Sequence, residues 1–292
     1  MTGREGQVVR SLIERGLASG HEIVPLGRPD LDLTDEAGAI VASLKAARPD
    51  VIVSAAAYTA VDKAETERDL AFAVNHRGAA ATAAAAHELD VPLIHVSTDY
   101  VFDGSKRDPY VETDATGPTG VYGASKLAGE QAVLAAHDDV AILRTAWVYS
   151  PFGGNFVKTM LRLARDRDEI SVVADQHGNP TSALDMADGI ITVASNLDSG
   201  SDPAQRGVFH MAGSGEASWA SFAEAIFGAS AAAGGPTARV KPISTANYPT
   251  PARRPANSRL AGDKLAVAHG VRMPDWRKST ENIVARLVRG DA

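Results

Sequence analysis

Three short apolar runs, separated by stretches long enough for helices, place the strongest limits on how this chain can fold. They occupy residues 51–53, 93–96 and 141–143, and each is rich in Val, Ile or Leu. Brief runs of branched residues are typical of strands buried on both faces of a parallel sheet, and intervening helices complete βαβ units. The sequence therefore predicts an α/β fold around a parallel sheet, with further strands at 23–26 and 170–173.

Helices are expected in the segments between and after these strands. The predicted spans are about 36–47, 62–76, 79–89, 122–137, 155–167 and 218–233. Residues 32–35 contain Asp and Thr side chains that can cap the first of these helices.

Bulk composition excludes several classes of protein. The net charge of -7 and the pI of about 5.6 argue against non-specific binding of nucleic acid, which requires a basic face. The chain has no cysteine, so disulfides, thiolate catalysis and Cys-ligated metals are excluded, and no metal is expected. With no signal-like segment and no apolar run of about 18 residues, we expect a cytoplasmic protein without a membrane partner.

A tyrosine and a lysine four residues apart suggest carbonyl chemistry. Tyr122 and Lys126 would share one face of a helix, and a Lys ammonium beside a phenol is expected to lower the pKa of the tyrosine. Thr98, at the end of a predicted strand, could hydrogen-bond the same substrate oxygen. Six tyrosines give such a spacing by chance about one time in six, so an ordinary exposed Tyr–Lys pair is the alternative.

The first residues contain a two-glycine version of a phosphate-binding loop. Gly3 and Gly6 are followed by Gln7 and Val8, and Val9 stands where a third glycine is usual. Such loops bring backbone N–H groups at a helix N-terminus close to a pyrophosphate. Because only two residues precede Gly3, we expect the first strand to be truncated, with its two neighbours left unpaired, and the natural chain to be longer.

The residue after the second predicted strand bears on the choice of cofactor. A carboxylate at that position would select NAD through the ribose 2′-hydroxyl, but here Gly27 and Arg28 follow Leu26. Arg28 could meet a 2′-phosphate, which favours NADPH with NADH tolerated. The alternative is that Arg28 is a solvated surface charge.

The composition changes after roughly residue 150. Residues 234–259 contain two glycines and five prolines, a density that predicts turns and loops. We therefore expect a nucleotide-binding domain over residues 1–150. Residues 151–292 would form a smaller, discontinuous lobe that contributes partly to the sheet.

Seven stretches carry a family resemblance over nearly the whole chain. They are GxxGQV at 3–8, AAAYTAVDKAE at 55–65, VSTDYVFDG at 96–104, VYGASKLAGE at 121–130, LRTAWVY at 143–149, NFVKTMLRLA at 155–164 and YPTPARRPANSRL at 248–260. Through them the chain resembles the extended short-chain dehydrogenase/reductase family, and within it the reductases of nucleotide-linked deoxy sugars. The resemblance implies a Rossmann-type doubly wound parallel sheet with a smaller C-terminal substrate-binding lobe.

The resemblance also implies roles for individual residues. The catalytic set would be Tyr122, Lys126 and Thr98. The cofactor would lie against Gly3, Gly6, Gln7, Val8, Arg28, Asp32, Leu33, Ala57, Tyr58, Thr59, Tyr122 and Lys126. The substrate would lie against Thr98, Asp99, Trp147, Asn155, Arg253 and Arg254. Three alternatives stay open: Asp99 as a turn cap, Trp147 as a core residue, and the arginine pair as surface charge.

The activity implied by the resemblance is NADPH-dependent reduction of the C4 keto group of dTDP-6-deoxy-L-lyxo-4-hexulose to dTDP-L-rhamnose. A homodimer is expected on the same ground. One alternative is a non-catalytic, cofactor-binding protein like the regulatory subunit of methionine adenosyltransferase. Another is a nucleotide-sugar epimerase or dehydratase, although a dehydratase often has a second carboxylate where Tyr100 follows Asp99.

Overall fold

A four-stranded parallel sheet lies at the centre of the computed structural model, which describes residues 1–290. The strands are β1 (Ile52–Ser54), β2 (Leu93–Thr98), β3 (Val140–Thr145), β4 (Val148–Tyr149), β5 (Glu169–Val173), β6 (His177–Gly178), β7 (Thr181–Ser182), β8 (Gly207–His210), β9 (Ala217–Ser218) and β10 (Arg239–Ile243). The central order is β1–β2–β3–β8, and small two-stranded sheets pair β5 with β10, β4 with β7, and β6 with β9. The predicted α/β fold with a parallel sheet is confirmed.

Eleven α-helices of the described residues surround these sheets. They are α1 (Gln7–Ala18), α2 (Ala37–Ala46), α3 (Val61–Ala64), α4 (Arg68–Phe72), α5 (Ala79–Leu89), α6 (Val121–Ala136), α7 (Phe156–Leu163), α8 (Ala183–Ser199), α9 (Trp219–Ala232), α10 (Asp263–His269) and α11 (Trp276–Arg289). In the part of the chain that is described, none of them is long and apolar enough to cross a membrane.

The three largest apolar cores of the described residues fill the space between these elements. One face of the central sheet packs against α2, α5 and α6, and the other face packs against α1, α8 and α10. A third core lies between α7, α9, α11 and β5. Because β8, α8 and α10 belong to the central sheet and its flank, the second half of the chain contributes to both parts. The last two residues of the expected 151–292 lobe lie outside the described residues.

Two predictions about helices are corrected by the structure. The expected helix over 62–76 is divided into α3, α4 and a π-helical turn (Ala73–Gly78), which turns Asn75 toward the sheet edge. The expected cap within 32–35 is also wrong, because α2 begins at Ala37 and Asp32 Oδ1 instead accepts hydrogen bonds from Thr34 N and Oγ1. At Asp32 short-range side-chain bonds replace the cap, whereas at Asn75 the bonds go to Tyr58 and Ser125 in other segments.

The amino-terminal edge of the sheet is held by very few residues. Thr2 forms isolated parallel bridges with Leu26 on one side and Ser54 on the other, which is the position of a first strand. The predicted strand at 23–26 reduces to this bridge at Leu26. A cavity of about 800 Å³ adjoins it, lined by residues 20–24 and 47–53. The two neighbours were expected to be unpaired, but Thr2 N donates to Val53 O at 2.9 Å and Leu26 N donates to Met1 O at 2.8 Å, so both are paired with the first residues.

Candidate active site

The carboxyl ends of β1, β2 and β3 bring the candidate residues to one edge of the sheet. β2 pairs with β3 over six registered residues and ends at Thr98, after which a short 3₁₀ turn (Asp99–Val101) begins. α6 begins at Val121 and carries Tyr122 and Lys126 one turn apart over this edge. Ligands of open parallel sheets bind at this edge.

Thr98, Asp99 and Tyr122 form the centre of the site. The Thr98 hydroxyl donates to Asp99 Oδ1 at 2.9 Å and also lies beside the Tyr122 phenol. Burial raises the pKa of Asp99 to about 6, although the hydroxyls of Ser258 and Thr98 oppose the rise. Asp99 is thus held next to Thr98 and Tyr122. The 3₁₀ turn that follows is capped by Thr98, whose Oγ1 accepts a hydrogen bond from Tyr100 N.

The expected lowering of the Tyr122 pKa is wrong for this structure. Burial raises the pKa of the phenol well above its ordinary value, and the nearby carboxyl of Asp99 adds to the rise, while the Thr98 hydroxyl opposes it. The Lys126 ammonium makes its hydrogen bonds elsewhere. Tyr122 is therefore fully protonated at neutral pH, as a proton donor must be.

Lys126 is buried beneath the site. Its Nζ donates to Val96 O at 2.7 Å and lies 3.3 Å from His95 Nε2. Burial lowers the pKa of Lys126 to about 8, and the carboxylate of Glu130 opposes the fall. The lysine therefore titrates near neutral pH, as groups in active sites often do.

The glycine loop fits a bound diphosphate. Gly3 has φ of +100°, a conformation that side chains rarely adopt, and a Cβ there would lie 3.0 Å from Val9 Cγ2. The missing side chain of Gly3 thus makes room for Val9, which explains how a valine can replace the third glycine. Gly6 precedes α1, and no side chain within residues 1–290 caps its first N–H groups, so that they remain available to an anion. Gln7 and Val8 open this helix.

The adenosine end of the cofactor site is more exposed. The Arg28 side chain is 82% exposed, and its Nε lies 3.8 Å from Asp32 Oδ2. Hydrogen bonds from Thr34 lower the pKa of Asp32, which keeps this carboxylate charged. Leu33 is buried behind it. Arg4, which the sequence did not single out, forms an ion pair with Asp30 in the same turn region.

The loop after β1 is fixed by a buried asparagine. Asn75 accepts from Tyr58 N at 2.8 Å, donates to Tyr58 O at 3.1 Å, and donates to Ser125 Oγ at 2.9 Å. These bonds attach the segment of Ala57, Tyr58 and Thr59 to α6. The Tyr58 hydroxyl points away to Glu67, and this hydrogen bond raises the pKa of Tyr58 to about 12.

Trp147 packs on a second aromatic ring. Its indole stacks on Trp219 with centroids 3.6 Å apart and planes at 9°. Its backbone has φ of +47°, and a Cβ on Gly178 would lie 2.5 Å from its Cε2. The half-buried indole also packs against two apolar cores, as the core alternative expects, so that its contact with a substrate stays a prediction.

Asn155 joins the two halves of the chain. Its Oδ1 caps α7 at Lys158 N, and its Nδ2 donates to Gln7 Oε1 at 2.9 Å and to Ser150 O at 2.8 Å. The side chains of Asn155 and Gln7 are therefore engaged with each other. Their place beside the glycine loop agrees with a position near a diphosphate, but their free polar atoms are few.

The two arginines of the loop at 248–260 differ in their surroundings. Arg253 is exposed, whereas Arg254 donates to Tyr100 OH at 3.0 Å and to Asp62 Oδ2 at 2.7 Å. Tyr100 in turn packs edge-on against Tyr122 with centroids 5.5 Å apart. Arg254 thus contacts a residue that packs against Tyr122. The alternative of a solvated surface charge describes Arg253, which is exposed.

Sequence reasoning missed several residues that shape this site. They are Arg4, Asp62, Asn75, His95, Trp219 and Ser258. Two of them could have been found from the sequence. His95 is the one polar residue of the predicted strand at 93–96, and Ser258 lies in the stretch at 248–260 that carries the family resemblance. The others depend on contacts between segments far apart in the chain.

An open parallel sheet with a glycine loop before α1, a threonine at the end of β2 and a Tyr–Lys pair on α6 defines the class of nicotinamide-dependent short-chain dehydrogenases and reductases. A family model described as "RmlD substrate binding domain" matches residues 1–289, and the chain belongs to that family.

Relatives agree over the full length. A curated protein from Sinorhizobium fredii, named dTDP-4-dehydrorhamnose reductase, is 53% identical over 288 residues, which cover 99% of this chain and 97% of the relative. A crystal structure of a dTDP-4-dehydrorhamnose reductase from Clostridium acetobutylicum is 36% identical with a TM-score of 0.90, covering 98% of both chains. One from Bacillus anthracis, in complex with NADP, is 37% identical with a TM-score of 0.89, covering 97% of this chain and 96% of that one.

Proposed function

We propose that this protein reduces the C4 keto group of dTDP-6-deoxy-L-lyxo-4-hexulose with NADPH to give dTDP-L-rhamnose. The observation that carries the proposal is the meeting of Thr98, Tyr122 and Lys126 at one sheet edge, in a chain that is 53% identical to a named dTDP-4-dehydrorhamnose reductase. The NADP complex of the Bacillus anthracis relative supports NADPH as cofactor, and Arg28 and Arg4 are proposed to favour its 2′-phosphate over NADH.

The proposed reduction adds a hydride and a proton across the C4 carbonyl. NADPH, when bound, supplies the hydride to C4. The Tyr122 O–H bond breaks as the new O–H bond on the sugar forms, which leaves a phenolate. The high pKa of Tyr122 keeps its proton in place until charge develops on the carbonyl oxygen. Thr98 is proposed to turn its hydroxyl from Asp99 to the same oxygen.

Lys126 is proposed to stabilise the phenolate and to bind the nicotinamide ribose. Its ammonium lies one helical turn from Tyr122, and a cation there favours the charged phenol. The remaining cofactor contacts are proposed for Gly3, Gly6, Gln7, Val8, Asp32, Leu33, Ala57, Tyr58 and Thr59. The substrate contacts are proposed for Asp99, Trp147, Asn155, Arg253 and Arg254. Arg254 would offer its planar guanidinium to the diphosphate.

Two broader expectations are proposed with the same function. The nucleotide-binding part is residues 1–150, and the sugar-nucleotide lobe is built mainly from 151–292. The protein is proposed to act in the cytoplasm, where its cofactor and substrate would be supplied, as a homodimer. Sedimentation of the purified protein measures the last point, and a monomer at working concentration would contradict it.

The test of the reaction is NADPH consumption by the purified chain, with and without the keto sugar generated in situ. We expect substrate-dependent, stoichiometric oxidation of NADPH and formation of dTDP-L-rhamnose, with a higher KM for NADH. A recycling epimerase would convert the sugar without net consumption of NADPH. A regulatory protein would bind NADPH and leave the sugar unchanged, which is the outcome that overturns the proposal.

A further inference from the structure

A buried histidine contacts the lysine of the site from below. His95 lies in the middle of β2, is 1% exposed, and places Nε2 3.3 Å from Lys126 Nζ. Its other ring nitrogen, Nδ1, lies 3.1 Å from Ser54 Oγ on the neighbouring strand β1. The imidazole therefore bridges β1 and α6 across the strand that carries Thr98.

The protonation of this histidine follows from its partners. An ammonium can only donate hydrogen bonds, so Nε2 must accept from Lys126. The ring proton is then on Nδ1, where it donates to Ser54 Oγ. Burial, with the charge of Lys126 as the second cause, lowers the pKa of His95 well below its ordinary value, so the ring stays neutral over the working range. The Ser54 hydroxyl, which can donate or accept, takes the accepting role toward this ring hydrogen.

The ammonium has three donors, and the two contacts on β2 use two of them. One goes to Val96 O and the other to His95, which leaves the third for a further partner. The other charged or titratable groups around this lysine are few. Tyr122 and Glu130 lie on its own helix, and Arg144 of β3 takes the Glu130 carboxylate at 2.7 Å. Asp99, from the turn after β2, lies against Tyr122.

We propose that His95 is a positioning residue for Lys126: held by Ser54, its neutral ring accepts one ammonium hydrogen and fixes the direction of the remaining donor. The importance of this for turnover rests on the proposed reductase function. The contact itself does not, so the two can be tested apart. Val96 O alone cannot fix the direction, because a single hydrogen bond lets the ammonium rotate about it.

The sharpest test compares two amides that differ by one methylene. In His95→Gln the amide oxygen can reach the former position of Nε2 and accept from Lys126. In His95→Asn the amide reaches only the former position of Nδ1, near Ser54. His137→Gln is the control for loss of a buried histidine, because His137 bonds the backbone of Val91 away from the site.

The first readout is the titration of Lys126 itself, followed by NMR of its side chain in the ligand-free full chain. Loss of an acceptor from a buried ammonium disfavours the charged form, so we expect the midpoint to fall by about one pH unit in His95→Asn. It should stay near the wild-type value in His95→Gln and His137→Gln. An unchanged midpoint in His95→Asn overturns the proposal, whether or not the keto sugar is the substrate.

The second readout is the pH profile of kcat with NADPH and the keto sugar. Activity that needs the ammonium declines above the pKa of Lys126. In His95→Asn this fall of kcat at alkaline pH should begin at a pH lower by the shift of the Lys126 midpoint. In His95→Gln it should stay at the wild-type pH. An equal loss of rate at every pH would identify His95 as structural only and overturn the proposal. Should His95→Asn fail to fold, Ser54→Ala replaces it with the same expected direction, because it removes the hydrogen-bond partner that holds the ring in place.

Discussion

Two edges of the same sheet are held in different ways. At the catalytic edge, β2 is paired along its whole length with β3, and Thr98, Asp99 and Lys126 are each at least 95% buried. At the amino-terminal edge, isolated bridges from Thr2 and a few backbone bonds from Met1 and Gly3 hold the neighbouring segments, and a cavity of about 800 Å³ adjoins them. The catalytic side chains are therefore fixed by many contacts, whereas the cofactor loop depends on a few.

This difference indicates where each kind of change should act. Substitutions at the catalytic edge should change chemistry or binding with the fold preserved. Substitutions at the amino-terminal edge should first change stability, because only a few hydrogen bonds hold that edge.

The largest expected effect is on the rate of Tyr122→Phe. The change removes the proton donor and keeps the ring, so kcat should fall by roughly 10²–10⁴-fold. NADPH binding, measured by fluorescence, should change little, which would keep the effect within the catalytic edge. Tyr149→Phe is the matched control, because its buried hydroxyl bonds Thr280 in the third core. Near-normal turnover of Tyr122→Phe would remove this tyrosine from the mechanism.

The second effect is a gain of stability in Asp99→Asn. The pKa of Asp99 is raised from 3.8 to about 6, so the folded protein holds this proton more tightly than the unfolded chain does. Stability should therefore fall as the pH rises from about 4 through 6, and the ionised carboxyl should cost up to roughly 3 kcal/mol at pH 7. Asn should remove that dependence. Urea denaturation at pH 5 and pH 7.5 measures it, and an equal effect at both values would contradict the burial argument.

The third effect tests the amino-terminal edge through Thr2→Val. Thr2 Oγ1 accepts from both Ala55 N and Ala56 N at 3.0 Å, and valine leaves these two N–H groups without it. We expect the free energy of unfolding to fall by roughly 2 kcal/mol. Thr2→Ser keeps the oxygen and should lose less than half of that. If Thr2→Val and Thr2→Ser lower the free energy of unfolding equally, the two hydrogen bonds do not stabilise this edge as proposed.

The smallest effect is expected for Arg254→Ala. Arg254 belongs to the second half of the chain and contacts the catalytic edge through Tyr100. Loss of the guanidinium should raise the KM of the sugar nucleotide about tenfold and change kcat less, as expected when binding contributes equally before and during reaction. Arg253→Ala, at the exposed neighbour, should have the weaker effect. Steady-state kinetics measure both variants. An unchanged KM in Arg254→Ala would mean that neither arginine binds the substrate and that both are surface charges.

The sequence predicted the strands that build the catalytic edge because buried parallel strands have a local signature. It missed β8 (Gly207–His210), which begins with glycine and has only one branched residue. It also placed an unbroken helix over 62–76, since the π turn at Asn75 is stabilised by bonds to Tyr58 and Ser125 from other segments. Local patterns carry no information about such distant partners.

The sequence by itself determined the class of fold and the Thr98–Tyr122–Lys126 set, because each depends on spacing along a few residues. The tertiary structure alone decided their chemistry. Burial raised the pKa of Tyr122 where a neighbouring lysine was expected to lower it, and His95 and Val96 took the ammonium. Spacing fixes which side chains share a helix face, but solvent exclusion and hydrogen-bond partners come from segments that only folding brings together.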